Sequence, residues 1–501
     1  MFLILRKAVQ LPLEVLTVSG ALARTNMPKQ WLKVGLFSLI LSGFFSAVIV
    51  FARAPGFAEL ISDPNFARKS LVLHVDYALI IWFYAFLSVL YLTFARRLNP
   101  LLNIAGLKLV IIGAFMMIIP VFIRGVEPIL ANYIPVLDHP LFLVGLFMVA
   151  AGFCCAFLNP GLTRTAGVER DRPTFYSSNA AEVIRSAGIV VLIAVATIVT
   201  SYLITPGRLH QETFFELVMW GGGHILQFAN VLGMLTVWMI LLKKLTGKEL
   251  VSDRINRWLV LALALPAVVS PVLLIQGTTT QLYYSGFTQL MRWFIFPVVT
   301  LYLILGIMAI WRSQTGRRRE QKNHLEKSAV IRSKETLSEK MQPGTESGRL
   351  SLFRNLYFNG FLVSALLTVV GFILGAMIRG SSTLIPAHYH ASLGGVTVAY
   401  MVMVFILLRE YGFRLDGKKF TRLTSLQPLL FGLGQVIFVI GFAWAGMTGM
   451  GRKLFGQDQS IYTVDAVIGL GLMAVGGLLA IAGGLLFIYL IVKSYTLSQK
   501  S

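Results

Sequence analysis

A chain of 501 residues, 56% apolar and only 13% charged, with a mean hydropathy of +0.74, is not a soluble protein, since soluble chains carry about 25% charged residues. The charge that remains is 44 Lys and Arg against 22 Asp and Glu, formally +22. Amid so much apolar sequence this excess reads as loop charge at an anionic membrane face, not as a nucleic-acid footprint. Cys154 and Cys155 are neighbours, which excludes a disulfide framework.

In chain order, residues 1–30 make a poor signal peptide, because Arg6 and Lys7 follow the first apolar residues. The stretch reads as a helix lying on the inner surface. About 20 apolar residues cross a bilayer, and twelve such segments follow, near 31–53, 71–95, 101–123, 136–158, 184–205, 213–242, 258–276, 286–311, 356–378, 384–408, 427–448 and 464–492. They form one membrane domain over 31–495. With the N-terminus inside, the outer loops and helix ends hold eight basic residues: Arg53, Arg68, Lys69, Arg124, Arg208, Arg379, Arg452 and Lys453. Lys108 and Arg292 fall within spans, and every other Lys and Arg lies on the inner side. That bias predicts an even number of spans, both termini cytoplasmic and a location in the inner membrane. The 313–350 segment is polar, basic and without apolar period, and is expected to be a flexible cytoplasmic insert. No soluble catalytic domain fits, so any chemistry sits inside an all-α bundle.

Six of the seven histidines fall on the outer side; His324 is the cytoplasmic one. His139 and His210 read as helix-end residues. His74, His224, His388 and His390 lie in spans, where ionisable groups are costly and are functional candidates. In Ala387-His388-Tyr389-His390 the imidazoles stand about 200° apart around a helix. They do not readily share one ion, but each can serve a different flat cofactor on either side. Histidine is the common axial ligand of haem iron, and with no CxxCH in the sequence such a haem would not be covalently attached.

At these residues the sequence resembles subunit I of the haem–copper oxidase superfamily, which includes cytochrome c oxidases and nitric oxide reductases. Twelve spans with both termini inside is that family's core topology. The stretch AHYHASLGGVTVAYM at 387–401 is similar to its tenth-helix segment, and WAGMTGMGRK at 444–453 to the segment after helix eleven. The resemblance, over about residues 30–495, implies two haems. His74 and His390 would hold a low-spin haem with both axial positions filled, and His388 a high-spin haem with one left open to oxygen, nitric oxide or carbon monoxide. Arg452 and Lys453 would bind the propionates. Asp76 is expected to hydrogen-bond near the low-spin haem.

The chain departs from the family at the second metal. There the family has one histidine in helix six and an adjacent pair at the end of helix seven. His224 in WGGGHILQF matches the first, but GTTTQLYYSG at 277–286 puts Thr280 and Gln281 at the pair. These are weak neutral donors for copper, so the second metal is expected to be absent. Phe228 stands where oxidases carry tyrosine and nitric oxide reductases glutamate, and Gln227 beside it suits neither task. Tyr283 and Tyr284 are either hydrogen donors near the cavity or interfacial aromatics. Glu216, about two turns before His224, is either a carboxylate at the outer edge of the pocket or an interface residue. Arg292 is expected to offset propionate charge or Glu216. The inner half offers few protonatable groups, so proton pumping is not expected.

The sequence thus reads as a dihaem oxidoreductase component of a respiratory chain, with His224, Tyr283 and Glu216 as its candidate catalytic residues. Its partners are membrane lipid, an electron-donating subunit, cytochrome or quinol, and a small gas. The rival readings are a working terminal oxygen or nitric oxide reductase with substitute metal ligands, and a non-catalytic haem-based gas sensor or assembly subunit.

Overall fold

The computed structural model describes residues 26–57, 63–95, 97–159, 168–169, 172–332, 353–415, 417–454 and 463–499. Twelve helices long and apolar enough to cross a membrane are found there. They are α1 Met27–Arg53, α2 Pro64–Phe94, α3 Pro100–Phe122, α4 Pro140–Leu158, α5 Ser178–Ile204 and α6 Gln211–Thr246. Then come α7 Asp253–Leu274, α8 Gln281–Gly316, α9 Leu356–Met377, α10 Leu384–Glu410, α11 Lys418–Met447 and α12 Val464–Ser498. Two short antiparallel pairs, Arg97–Leu98 with Val168–Glu169 and Pro128–Ile129 with Val136–Leu137, tie loops together.

Local chemistry sets the starts. Prolines 28, 64, 100 and 140 occupy the first turns of α1 to α4, where the missing N–H costs nothing. Asp63, Asn99, Ser177, Asn355 and Thr463 accept from free N–H groups of the first turns of α2, α3, α5, α9 and α12. His139 does the same for α4, accepting from Leu141 N at 3.2 Å. Helices run past their apolar cores: 36 residues in α6 make about 54 Å of rod against an apolar core of about 30 Å. Counted outward from Lys243, about 20 residues end near His224, which therefore lies at one edge of the apolar zone.

The first helix starts, and the last helix ends, on the same side. Lys29 Nζ donates to Tyr411 O (3.5 Å) and Arg414 N to Ser498 Oγ (2.8 Å), joining the start of α1, the end of α10 and the end of α12. The opposite end, which carries Arg452, is called the outer end below.

Two segments correct the sequence reading. Helix starts at Met27, inside the expected 1–30 surface segment, because Pro28 begins it and Trp31 is buried with its indole N–H on Asn103 Oδ1 (2.8 Å); residues 1–25 lie outside the described residues. The 313–350 segment is not irregular throughout, since α8 continues as helix to Arg332. Residues 316–332 are rich in Arg, Glu, Lys and Gln, which prolong a helix already nucleated by the packed span. Residues 333–352 are not described.

Small residues let rods touch. On α11 and α12 a Cβ at Gly434, Gly441, Gly469, Gly476 or Gly483 would lie 2.2–2.7 Å from backbone atoms of the facing helix. In lipid, such close approach is a main source of helix association. Gly441→Leu is expected to destabilise the fold by about 1–3 kcal/mol, the usual range for overpacking, read as a lower thermal midpoint of the purified protein in detergent.

Candidate functional site

The second helix changes winding where the site begins. Residues Asp76–Trp82 form a π turn within α2, which re-aims the faces on either side of it and is often found at functional sites. His74 lies two residues before it. Its Nδ1 sits 3.0 Å from Ser42 Oγ and 3.1 Å from Ser42 O of α1, while Ser42 Oγ also reaches His74 O at 3.0 Å. The ring is therefore fixed through one nitrogen, and Nε2 has no hydrogen-bond partner among the described residues.

His390 on α10 faces it. The two rings are parallel to within 13° with centroids 6.3 Å apart, too far for direct stacking contact. In line, two metal–imidazole bonds of about 2 Å, with each ring centre about 1 Å behind its nitrogen, span about 6 Å. The centroid spacing of His74 and His390 equals that of two imidazoles on one metal ion. Phe438 of α11 packs edge-on to His390, at 4.8 Å and 65°.

His388 leaves α10 on another side, toward α9. Its Nδ1 is 2.7 Å from Gly371 O, so Nδ1 carries the proton and Nε2 is left with a lone pair and no hydrogen-bond partner among the described residues. The ring lies against Gly375, where a Cβ would come within 2.8 Å of it. This is the arrangement of a metal-ligating histidine whose second nitrogen is held by a carbonyl.

His224 on α6 is built differently. It is buried, its Nδ1 is 2.7 Å from Trp220 O, and the Tyr133 hydroxyl is 3.0 Å from its Nε2. With Nδ1–H on a carbonyl, Nε2 is an acceptor and Tyr133 donates to it. Tyr133 comes from the outer loop between α3 and α4, and burial, then Glu216 and Tyr284, push its phenol well above the usual range. Thr288 Oγ1 is 3.4 Å from the same nitrogen.

The expected neighbours of His224 are elsewhere. Thr280 caps α8, accepting from Tyr283 N at 3.2 Å and donating to Gly277 O at 3.0 Å, and Gln281 is exposed. The Tyr283 hydroxyl donates to Leu217 O (2.7 Å) and accepts from Gly221 N (3.0 Å), one turn outward on α6. Tyr284 stacks on Trp220 at 3.9 Å. Among the described residues no cluster of three or more His, Cys, Asp or Glu can hold a metal ion.

The outer rim is a polar network. Glu216 accepts from Asn132 N at 2.7 Å and from Asn132 Nδ2, and Arg452 Nη1 donates to Asn132 Oδ1 at 2.9 Å. Arg53, buried at the end of α1, donates through Nη2 to Arg452 O, and its guanidinium lies 5.3 Å from the centre of the Phe442 ring. Lys453 is half-buried, and burial, then the neighbouring Arg452, lower its ammonium pKa. Arg292 stands exposed on α8, and both Glu216 oxygens are occupied by Asn132. Asp76 is fully buried, its carboxyl oxygens without a hydrogen-bond partner among the described residues.

Three contributors were not legible in the sequence. Ser42 is one of three serines in an apolar helix, Tyr133 sits in a loop with its partner on the third helix that follows, and Arg53 appeared only in the tally of outer charge.

No family model matches the chain. It is 22% identical to an uncharacterised protein of Rickettsia prowazekii (strain Madrid E), over 94% of this chain and 96% of that one. It is 25% identical to an uncharacterised protein of Aquifex aeolicus (strain VF5), over 80% and 89%. Among solved structures it is similar to a haem–copper terminal oxidase, with a TM-score of 0.63 and 17% identity over 97% of this chain and 84% of the oxidase chain. The twelve-helix bundle therefore has the haem–copper oxidase subunit I fold.

Proposed function

We propose that this chain is a dihaem electron-transfer subunit of a respiratory complex, with a low-spin haem between His74 and His390 and a high-spin haem on His388. The observation that carries the reading is the parallel pair of imidazoles from α2 and α10, spaced for one iron, with His74 fixed through its other nitrogen. When bound, haem iron supplies a one-electron redox change and, where an axial position stays open, a place for a small gas.

The chain's own residues do the rest. Ser42 and the Gly371 carbonyl orient two of the ligands. Arg53, Arg452 and Lys453 place positive charge at the outer rim, where the propionate carboxylates would be paired. Electrons arrive from a partner subunit, a cytochrome or a quinol. The protein sits in the inner membrane with its termini in the cytoplasm, so that the haems lie toward the outer side.

The second metal is lost in this reading. Both nitrogens of His224 are engaged by Trp220 and Tyr133, Glu216 is engaged by Asn132, Thr280 caps α8 and Gln281 is exposed. One imidazole does not retain copper. These engagements weigh against a reductase that uses substitute ligands.

An optical spectrum of the reduced protein, with and without carbon monoxide, is the test. Two haems per chain are expected, one of which responds to the gas. Protein that carries no haem after mild purification rules the reading out, and one copper or non-haem iron per two haems restores the rival reductase.

A further inference from the structure

His224 and His388 both lie in the outer parts of neighbouring helices. Helices α6 and α10 both run from the outer end inward. Their register is fixed where the Tyr400 hydroxyl packs against Gly233 and where Ser364 joins Trp238 Nε1 to Gly395 O (2.8 and 2.7 Å). Counting outward from those contacts brings His388 level with the stretch of α6 between about residues 221 and 231, which contains His224. A ligand on the open position of a His388 haem would then meet the polar groups around His224.

Several of those groups donate to backbone carbonyls: the Tyr283 hydroxyl to Leu217 O, Trp220 Nε1 to Tyr284 O and Gln227 Nε2 to Gly223 O. Thr288 Oγ1 is divided between Tyr284 O at 3.3 Å and His224 Nε2 at 3.4 Å. The Tyr133 hydroxyl, at 3.0 Å, is the nearer of the two donors on His224 Nε2, a side-chain acceptor from which it can be exchanged. Much of the surroundings serves to hold it there. Tyr133 has φ +68°, a left-handed conformation that a non-glycine residue keeps only where its surroundings hold it. Its neighbour Asn132 is clamped by Glu216 and Arg452. Gly223 lies beneath its ring, where a Cβ would come within 2.4 Å.

We infer that Tyr133 is the hydrogen-bond donor of the reactive pocket, positioned by the Glu216–Asn132–Arg452 clamp to donate to the terminal atom of a diatomic ligand on the His388 haem. This rests on the dihaem reading above. The donor replaces a metal at the position that faces the ligand, so the pocket polarises a bound gas through an O–H group. No bond is made or broken; the phenolic proton stays on oxygen and changes acceptor, from His224 Nε2 to the ligand.

The test is the infrared C–O stretch of the reduced, carbon monoxide-bound full-length protein. A hydrogen bond to the ligand oxygen weakens the C–O bond, so the stretch is expected to shift on transfer to D2O. In Tyr133→Phe it is expected to move to higher wavenumber and lose that isotope shift. Asn132→Ala, which releases the clamp, is expected to broaden the band and move it the same way. A wild-type stretch indifferent to D2O overturns the proposal, as does a Tyr133→Phe stretch at the wild-type position. A wild-type protein that binds haem but no carbon monoxide ends the dihaem reading and this proposal with it, whereas an unshifted stretch ends this proposal alone.

Discussion

Replacing His390 by alanine is expected to leave the purified protein with one haem per chain where the wild type carries two. The low-spin bands should disappear while the carbon monoxide response persists. His74 and His390 face each other at a spacing that suits two bonds to a single iron, and a methyl group at 390 supplies neither a ligand nor a filler for the slot. His74→Ala is expected to do the same from the other side. Ser42→Ala tests the fixing of His74 without touching a ligand. Loss of the group that orients a ligating histidine typically costs 10–100-fold in metal affinity, so haem retention is expected to weaken by about that much, read by competition with apomyoglobin. A His390→Ala protein that keeps two haems with unchanged low-spin bands would show that the pair does not bind iron.

The second large effect is expected at His388. Its alanine variant should lose the carbon monoxide response altogether and keep the low-spin spectrum. The two histidines are only two residues apart, yet their surroundings do not overlap. His388 is held by Gly371 and lies on Gly375 of α9, whereas His390 faces His74 and packs against Phe438. A reduced-minus-oxidised spectrum, with and without the gas, separates the outcomes. If the response survives His388→Ala, the open site belongs to another residue.

The contrast between these histidines and His224 was partly legible beforehand. Absence of the paired histidines and the presence of Phe228 are facts of sequence, and the expectation of an absent second metal rests on them. What fills the space is a different matter. Aligning GTTTQLYYSG without a gap put Thr280 and Gln281 at the vacated positions. In the folded chain Thr280 serves as a helix cap and Gln281 is exposed, while the atoms near His224 Nε2 come from Tyr133 and Thr288. A cap is a local requirement satisfied within three residues, and it determined the role of Thr280 whatever the family pattern at that position.

The 313–350 segment shows the same limit in the opposite direction. Its polar composition carries no packing period, and by itself it reads as irregular. A helix once nucleated by a packed span continues at little cost through residues that favour it, which is why α8 runs on to Arg332. Hydropathy sees the apolar cores of the rods and not their polar extensions.

The sequence by itself determined the number of spans, the charge asymmetry of the two faces, the outward divergence of His388 and His390, and the basic pair at 452–453. All of these are periodic or compositional properties, and each is complete within one helix or loop. The tertiary structure alone decided that Ser42 holds His74, that Arg53 joins the rim through Arg452, and that a strained loop tyrosine covers the lone pair of His224. Those contacts join residues 32, 399 and 91 positions apart. They depend on how close two rods come and which way a loop turns, quantities that no local pattern of side chains encodes.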